Sequence, residues 1–246
     1  MVETKMIPAQ PRNMRAYAYA LVLFTAVSLP AQEPDKEAAL GRQMAAEILR
    51  HSTPIHNPAV DRYLTRLGSQ LSAQFPGAKL DFTFTVIADD PCPSTHEPAA
   101  LPGGFIIVPA ALFGAADDEA EFAAMLAHSM EHVVLHHRTR GGCSGGALIP
   151  VSLRASVRNN ELEADALAIP LLASAGFDPS ALARYIARVQ PPSSTPSAVL
   201  PSRDQRLAAM RPIIQRFPLA YSQVSSSEFI AIQRAVSASV PRRPRP

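Results

Sequence analysis

The segment "DDEAEFAAMLAHSMEHVVLHHRTRGG", Asp117 to Gly142, limits this chain more than any other stretch. It opens with acids, is apolar in the middle and ends with His136, His137, Arg138 and Arg140, the charge order that suits a helix dipole. Gly141 and Gly142 are expected to supply its C-terminal cap. On a helix, positions i and i+4 lie about 40° apart in azimuth, so His128 and His132 project from one face and can share one ion. In "NNELEAD", Glu161 and Asp165 have the same spacing and also share a face, whereas Glu163 points roughly to the other side. One of these carboxylates can ligate and the other can support. Two neutral imidazoles, one carboxylate and a water make an open zinc geometry, and an Asp that accepts the distal N–H of a ligand His is its usual outer partner. Considered alone, the paired histidines describe a surface helix equally well, and the acids describe a helix start. The two pairs together are what point to a metal.

The rest of the chain supplies elements to carry that site. With 246 residues, 47% hydrophobic and 18% charged, it can bury one good-sized core. "DKEAALGRQMAAEILRH" (Asp35 to His51) and "NPAVDRYLTRLGSQLSAQF" (Asn57 to Phe75) have apolar residues at helical spacing, with His51 and His56 flanking a helix end. "LDFTFTVIA" (Leu80 to Ala88) and "GFIIVP" (Gly104 to Pro109) read as strands joined by the loop "DDPCPSTHEPAALPG". After the linker "GGCSGG" comes the helix "NNELEADALAIPLLASAG", where Pro170 predicts a kink or an early end. "DPSALARYIARVQ" starts a further helix from an Asp-Pro cap, Pro191 to Ser202 is a loop, and helical patterns cover Ser202 to Phe217 and Ser226 to Val240.

The N-terminus places Lys5, Arg12 and Arg15 before the apolar run "AYAYALVLFTAVSL" and then "PAQE", which resembles a signal peptide. That run of 14 residues is shorter than the ~20 that span a bilayer, so cleavage near Ala31 and an exported mature chain that does not span the membrane are expected. The resulting organisation is a signal segment over 1–31, one principal domain over 32–217, and a helix with the basic tail "PRRPRP" over 218–246. A net charge of +2 and so short a basic tail exclude a nucleic-acid module. Cys92 and Cys143, the two cysteines, form either a disulfide suited to an oxidising compartment or two free thiols in loops.

"AALPGGFIIVPAALFGAADDEAEFAAMLAHSMEH", then "RNNELEADALAIPLLASAGFDPSALARYIARV" and "PSRDQRLAAM" resemble metallopeptidase family M48, the zinc-dependent proteases that include periplasmic chaperone-like enzymes. The likeness runs over most of Glu37 to Met210. It implies a mostly helical α+β, gluzincin-type fold with a small sheet, the "GFIIV" strand beside the active cleft, and one zinc ion on His128, His132 and Glu161, with Asp165 as their outer partner. It also implies a protein or peptide substrate among exported or envelope proteins.

The likeness fails where chemistry is most exposed. The family motif is H-E-x-x-H, and here Ser129 stands at the glutamate. The family's Asn-Ala-Phe before Leu-Pro-Gly-Gly is Glu97, Pro98 and Ala99, and Leu200 stands where a Thr-His-Pro histidine is common. The interval from His132 to Glu161 is also short for the family. Glu131 fits an inverted H-x-x-E-H pattern, but on the helix it lies on the flank opposite position 129, so it is a poor substitute base and is expected to be solvated or salt-bridged. His96 and Glu97, in the loop beside the cleft, are further candidates for the base, and His136 is one turn too far to be a ligand. General-base catalysis is worth about 10² to 10⁴ in rate. The expectation is therefore a zinc site with peptidase activity strongly reduced or absent. The alternative is a non-catalytic zinc-binding protein that keeps the cleft for peptide binding or chaperoning.

Overall fold

A computed structural model describes residues 34–77, 80–137, 151–192, 200–218 and 225–241. The signal-like segment, the linker with Cys143, most of the Pro191–Ser202 loop and most of the basic tail lie outside the described residues. The β-branched and aromatic runs "TFTVI" and "FIIVP" form the central strands, β2 (Thr83–Ile87) and β4 (Phe105–Pro109), which pair in parallel with Val86 opposite Val108. Two short strands flank them antiparallel. They are β1 (Pro54–Ile55) on β2 and β3 (Ala99–Leu101) on β4, giving the order β1-β2-β4-β3. Both flanking strands lie in stretches that the sequence leaves as loop, because two or three residues are too few to show alternation.

Eight α-helices surround this sheet among the described residues: α1 (Pro34–Arg50), α2 (Pro58–Ser72), α3 (Ala110–Ala115), α4 (Glu119–Val134), α5 (Val151–Ser174), α6 (Ala181–Val189), α7 (Arg203–Ile214) and α8 (Ser227–Ser239). The fold is thus mostly helical α+β, as expected. Asn57 caps α2 by accepting from the amides of Ala59 and Val60, with Pro58 in the first turn. Ser202 and Gln205 form a capping box on α7, and Ser226 caps α8. α5 does not end early at Pro170. It continues to Ser174, because Ile169, Leu171 and Leu172 are buried on either side and their packing outweighs the missing N–H. α8 belongs to the same core as the rest: its Phe229 packs against Tyr63 of α2 and Phe122 of α4.

α4 runs through the middle of this core, and every residue from Ala120 to Val133 is buried. Asp118 caps it through the Glu121 amide at 2.8 Å. Arg184 of α6 pairs with Asp118 at 2.7 Å and also contacts Asp178, while Arg188 pairs with Asp117 at 2.8 Å and contacts Glu121. The helix does not run on to the glycines at 141 and 142. It closes on His136, whose φ of 50° is left-handed, while the His137 amide donates to His132 O at 2.9 Å and the His136 amide to Val133 O at 3.0 Å, the pattern of a Schellman cap.

Between β3 and β4 the chain turns through the 3-10 segment Pro102–Gly104, where Gly103 has φ +70° and Gly104 φ +90°. A Cβ on Gly103 would lie 2.5 Å from Ala38 Cα, so the turn seats directly on α1. Gly103→Ala is expected to destabilise by roughly 2–4 kcal/mol, from the left-handed backbone and the overpacking together. Thermal unfolding measures this, and an unchanged midpoint would show that α1 does not rest on the turn.

Candidate metal centre

α4 and α5 pack against one another and bring the two four-residue pairs face to face. His128 Nε2 and His132 Nε2 are 3.2 Å apart, His128 Nε2 is 3.6 Å from Glu161 Oε2, and His132 Nε2 is 3.7 Å from Glu161 Oε1. Glu97, from the loop before β3, joins them with Oε1 3.6 Å from His128 Nε2. One donor atom from each of the four residues falls within 4.8 Å of every other. Zinc bonds of about 2.0–2.2 Å at tetrahedral angles separate neighbouring donors by about 3.3–3.5 Å. The spacing of the histidines and Glu161 fits one such ion, and the donors, two imidazoles and carboxylate oxygen, are those zinc takes.

Behind His128 the structure adds a layer. Asp165 Oδ1 stands 3.0 Å from His128 Nδ1, although the N–H is not aimed closely enough at that oxygen to make a good hydrogen bond. Arg206, on α7, grips the same carboxylate with Nε at 2.7 Å from Oδ2 and Nη2 at 2.6 Å from Oδ1. Burial alone would push Asp165 upward, but the guanidinium outweighs it and holds the carboxyl well below the usual range. The sequence reading missed Arg206. Its signal was available: a carboxylate destined for the core needs a cation, and "PSRDQRLAAM" carries one.

The two ring environments differ. Burial opposes charge on His128, yet the carboxylates of Asp165, Glu161 and Glu97 around it raise its pKa well above the ordinary value. His132 is pushed down to about 3, by burial first and then by the charge on His128. On the outer side of His132 stands His137, Nδ1 to Nδ1 at 3.1 Å, with Glu163 Oε2 3.4 Å from its Nε2. His137 and Glu163 are therefore neighbours of the centre and not simply the helix-end charge and opposite-facing acid expected. The left-handed His136 turns the chain back and so places His137 on His132.

Ser129 is fully buried, and its hydroxyl points at carbonyl oxygens, Met125 O at 3.0 Å and Pro98 O at 3.3 Å. Glu131 is not solvated as expected. It is buried away from the four-residue cluster, and its carboxyl is pushed up to about 7 by burial, against the charge on His128 and with that of Glu163. His136 is exposed and pairs with Glu37 of α1 at 2.9 Å, and His96 pairs with Asp90 at 2.6 Å, so neither reaches the centre. Of the strands, β3, the edge strand beside "GFIIV", packs most extensively on α4. Cys92 is buried and disulfide-bonded, while Cys143 lies outside the described residues.

Fold and centre together define an α+β chain with, among the described residues, a candidate metal site of two histidines from a buried His-x-x-x-His helix and carboxylates from outside it. Residues 54–156 match the sequence model of Peptidase family M48, a stretch that includes Glu97, His128 and His132 and stops before Glu161. The beta-barrel assembly-enhancing protease of Yersinia pestis is 26% identical over 215 residues, covering 72% of this chain and 43% of that protein. The putative beta-barrel assembly-enhancing protease of Vibrio cholerae serotype O1 is 28% identical over 175 residues, 58% of this chain and 35% of its own length. The Escherichia coli K12 beta-barrel assembly-enhancing protease is 27% identical over 202 residues, 66% and 41%. The chain is thus similar to Peptidase family M48 over residues 54–156 and spans less than half the length of the curated relatives it matches.

Proposed function

We propose that this chain is an exported zinc metalloendopeptidase of the M48 type, acting on envelope proteins, whose peptide hydrolysis is slowed because Ser129 occupies the position of the general base. The observation that carries the reading is the convergence of His128, His132 and Glu161 at 3.2–3.7 Å from two separate helices. Zinc held by these residues would lower the pKa of a bound water toward ~7 and polarise a substrate carbonyl. Asp165 faces His128 Nδ1 from behind at 3.0 Å and is itself fixed by Arg206. His137 faces the rear of His132. Export, envelope substrates and the signal segment rest on the relatives' names and on the N-terminal pattern.

A second reading is a non-catalytic zinc-binding protein with a peptide-binding role, and the orientation of Ser129 favours it. A hydroxyl cannot take a water's proton at neutral pH, and the single proton of this one is directed at Met125 O, with Pro98 O also in reach. Zinc content and casein cleavage of the wild type, His128→Ala and Ser129→Glu separate the two. We expect one zinc in the wild type and none in His128→Ala, with cleavage slow, abolished by chelation and raised by as much as about 10² in Ser129→Glu. Zinc without cleavage in either the wild type or Ser129→Glu would favour the non-catalytic reading. Absence of zinc from the wild type would sink both.

A further inference from the structure

The loop carrying Glu97 is built to hold that residue in place. The amides of Thr95 and His96 donate to Cys92 O at 3.1 and 2.7 Å, and the Cys92 amide donates to Asp90 Oδ1 at 3.1 Å. His96 adopts a left-handed φ of 51°, with its ring on Asp90 at 2.6 Å. That conformation costs a β-carbon residue about 1–2 kcal/mol and persists only where its surroundings enforce it. The buried Tyr185 hydroxyl donates to Thr95 O at 2.8 Å, and Cys92 is disulfide-bonded. On the far side of Glu97, Pro98 O accepts from Ser129 Oγ at 3.3 Å, and β3 begins at once, with Ala99 opposite Ile107. Glu97 is therefore fixed from both sides, and its side chain is only 15% exposed.

The place it is fixed in is a donor position. Its Oε1 lies 3.6 Å from His128 Nε2, the same separation as Glu161 Oε2 from that nitrogen. A carboxylate that only held a metal-bound water would stand a hydrogen bond of about 2.6–3.2 Å beyond the fourth position. The small side chain at 129 is what lets the loop approach, since the Pro98 carbonyl rests against the Ser129 hydroxyl.

We propose that Glu97 is a fourth protein ligand, so that His128, His132, Glu161 and Glu97 together close the coordination sphere of one zinc ion. This rests on the zinc site proposed above and favours its non-catalytic reading, since with Glu97 bound no position is left for the water. Four protein ligands with no open position are the mark of a structural zinc site. A substrate carbonyl reaches such a centre only by displacing Glu97. The departure from Asn-Ala-Phe and the loss of the base at 129 then form one change: the loop supplies a carboxylate on the side where the helix has lost one.

Zinc affinity by chelator competition, and the visible spectrum of the cobalt(II)-loaded protein with and without azide, test the assignment. Wild type, Glu97→Gln, Glu97→Ala and His128→Ala are compared, with unfolding in EDTA as the check that each variant folds. We expect the Glu97 variants to lose zinc affinity by more than the about 10- to 100-fold that loss of an outer partner costs. Azide should leave the wild-type cobalt spectrum unchanged and shift that of Glu97→Ala, where a position has opened. Affinity equal to wild type in folded Glu97→Gln, or an azide shift in the wild type itself, overturns the inference and leaves the His128–His132–Glu161 site standing. A wild type without metal defeats the zinc reading as well, so the two failures are distinct.

Discussion

Replacing Arg206 by alanine is expected to destabilise the protein by about 3–5 kcal/mol, the cost of leaving a buried carboxylate without its partner. Against a total stability of about 5–15 kcal/mol this is a large share. Asp165 is fully buried, and both of its oxygens receive Arg206 nitrogens, at 2.6 and 2.7 Å. Urea unfolding of Arg206→Ala measures the effect. Asp165→Leu combined with Arg206→Met should recover most of it, since a well-packed apolar pair can replace a buried ion pair. A loss below about 1 kcal/mol for Arg206→Ala, the range of an exposed pair, would show that Asp165 is not held by this contact. The pH dependence has a definite sign. Because the folded carboxyl is held below its unfolded value, its contribution is fully present above the unfolded pKa of about 4 and is lost progressively as pH falls from there through the lower folded value.

Chelation should produce an effect of similar size. A ligand at about a thousand times its Kd stabilises the folded state by about 4 kcal/mol, and in a protein of this length each kcal/mol moves Tm by about 2–4 °C. EDTA should therefore lower the wild-type Tm by roughly 10 °C and leave that of His128→Ala where it is. The asymmetry matters: His128 supplies Nε2 to the donor cluster and is fully buried, so its removal takes away the metal's contribution along with the ring's packing. Equal shifts in both proteins, or none in the wild type, would separate folding stability from these residues.

The largest elements were legible because their periodicity runs over many residues. α1, α2, α7 and α8 stand within a few residues of where apolar spacing put them, and β2 and β4 within a few of their β-branched runs. α3 and the flanking strands β1 and β3 were not legible, being too short to show a period. The end of α4 was misplaced because glycines are the commonest left-handed caps, yet here His136 takes that conformation, helped by its pairing with Glu37. Glu131 was read as solvated because a helix contacted on every side looks, one residue at a time, like an amphipathic one.

At the centre, spacing alone determined that His128 and His132 share a face and that Glu161 and Asp165 share another, since that follows from the rise and turn of any α-helix. Which carboxylates meet the histidines could not follow from it. Glu97 and Arg206 lie 31 residues before and 78 after His128, and no local period links such positions. The packing of α5 and α7 against α4, and a loop clamped by Cys92, Tyr185 and Ser129, brought them to the same few ångströms. The sequence determined the two faces of the site, and the tertiary structure decided what stands between and behind them, because burial and long-range contact set those partners and helical geometry does not.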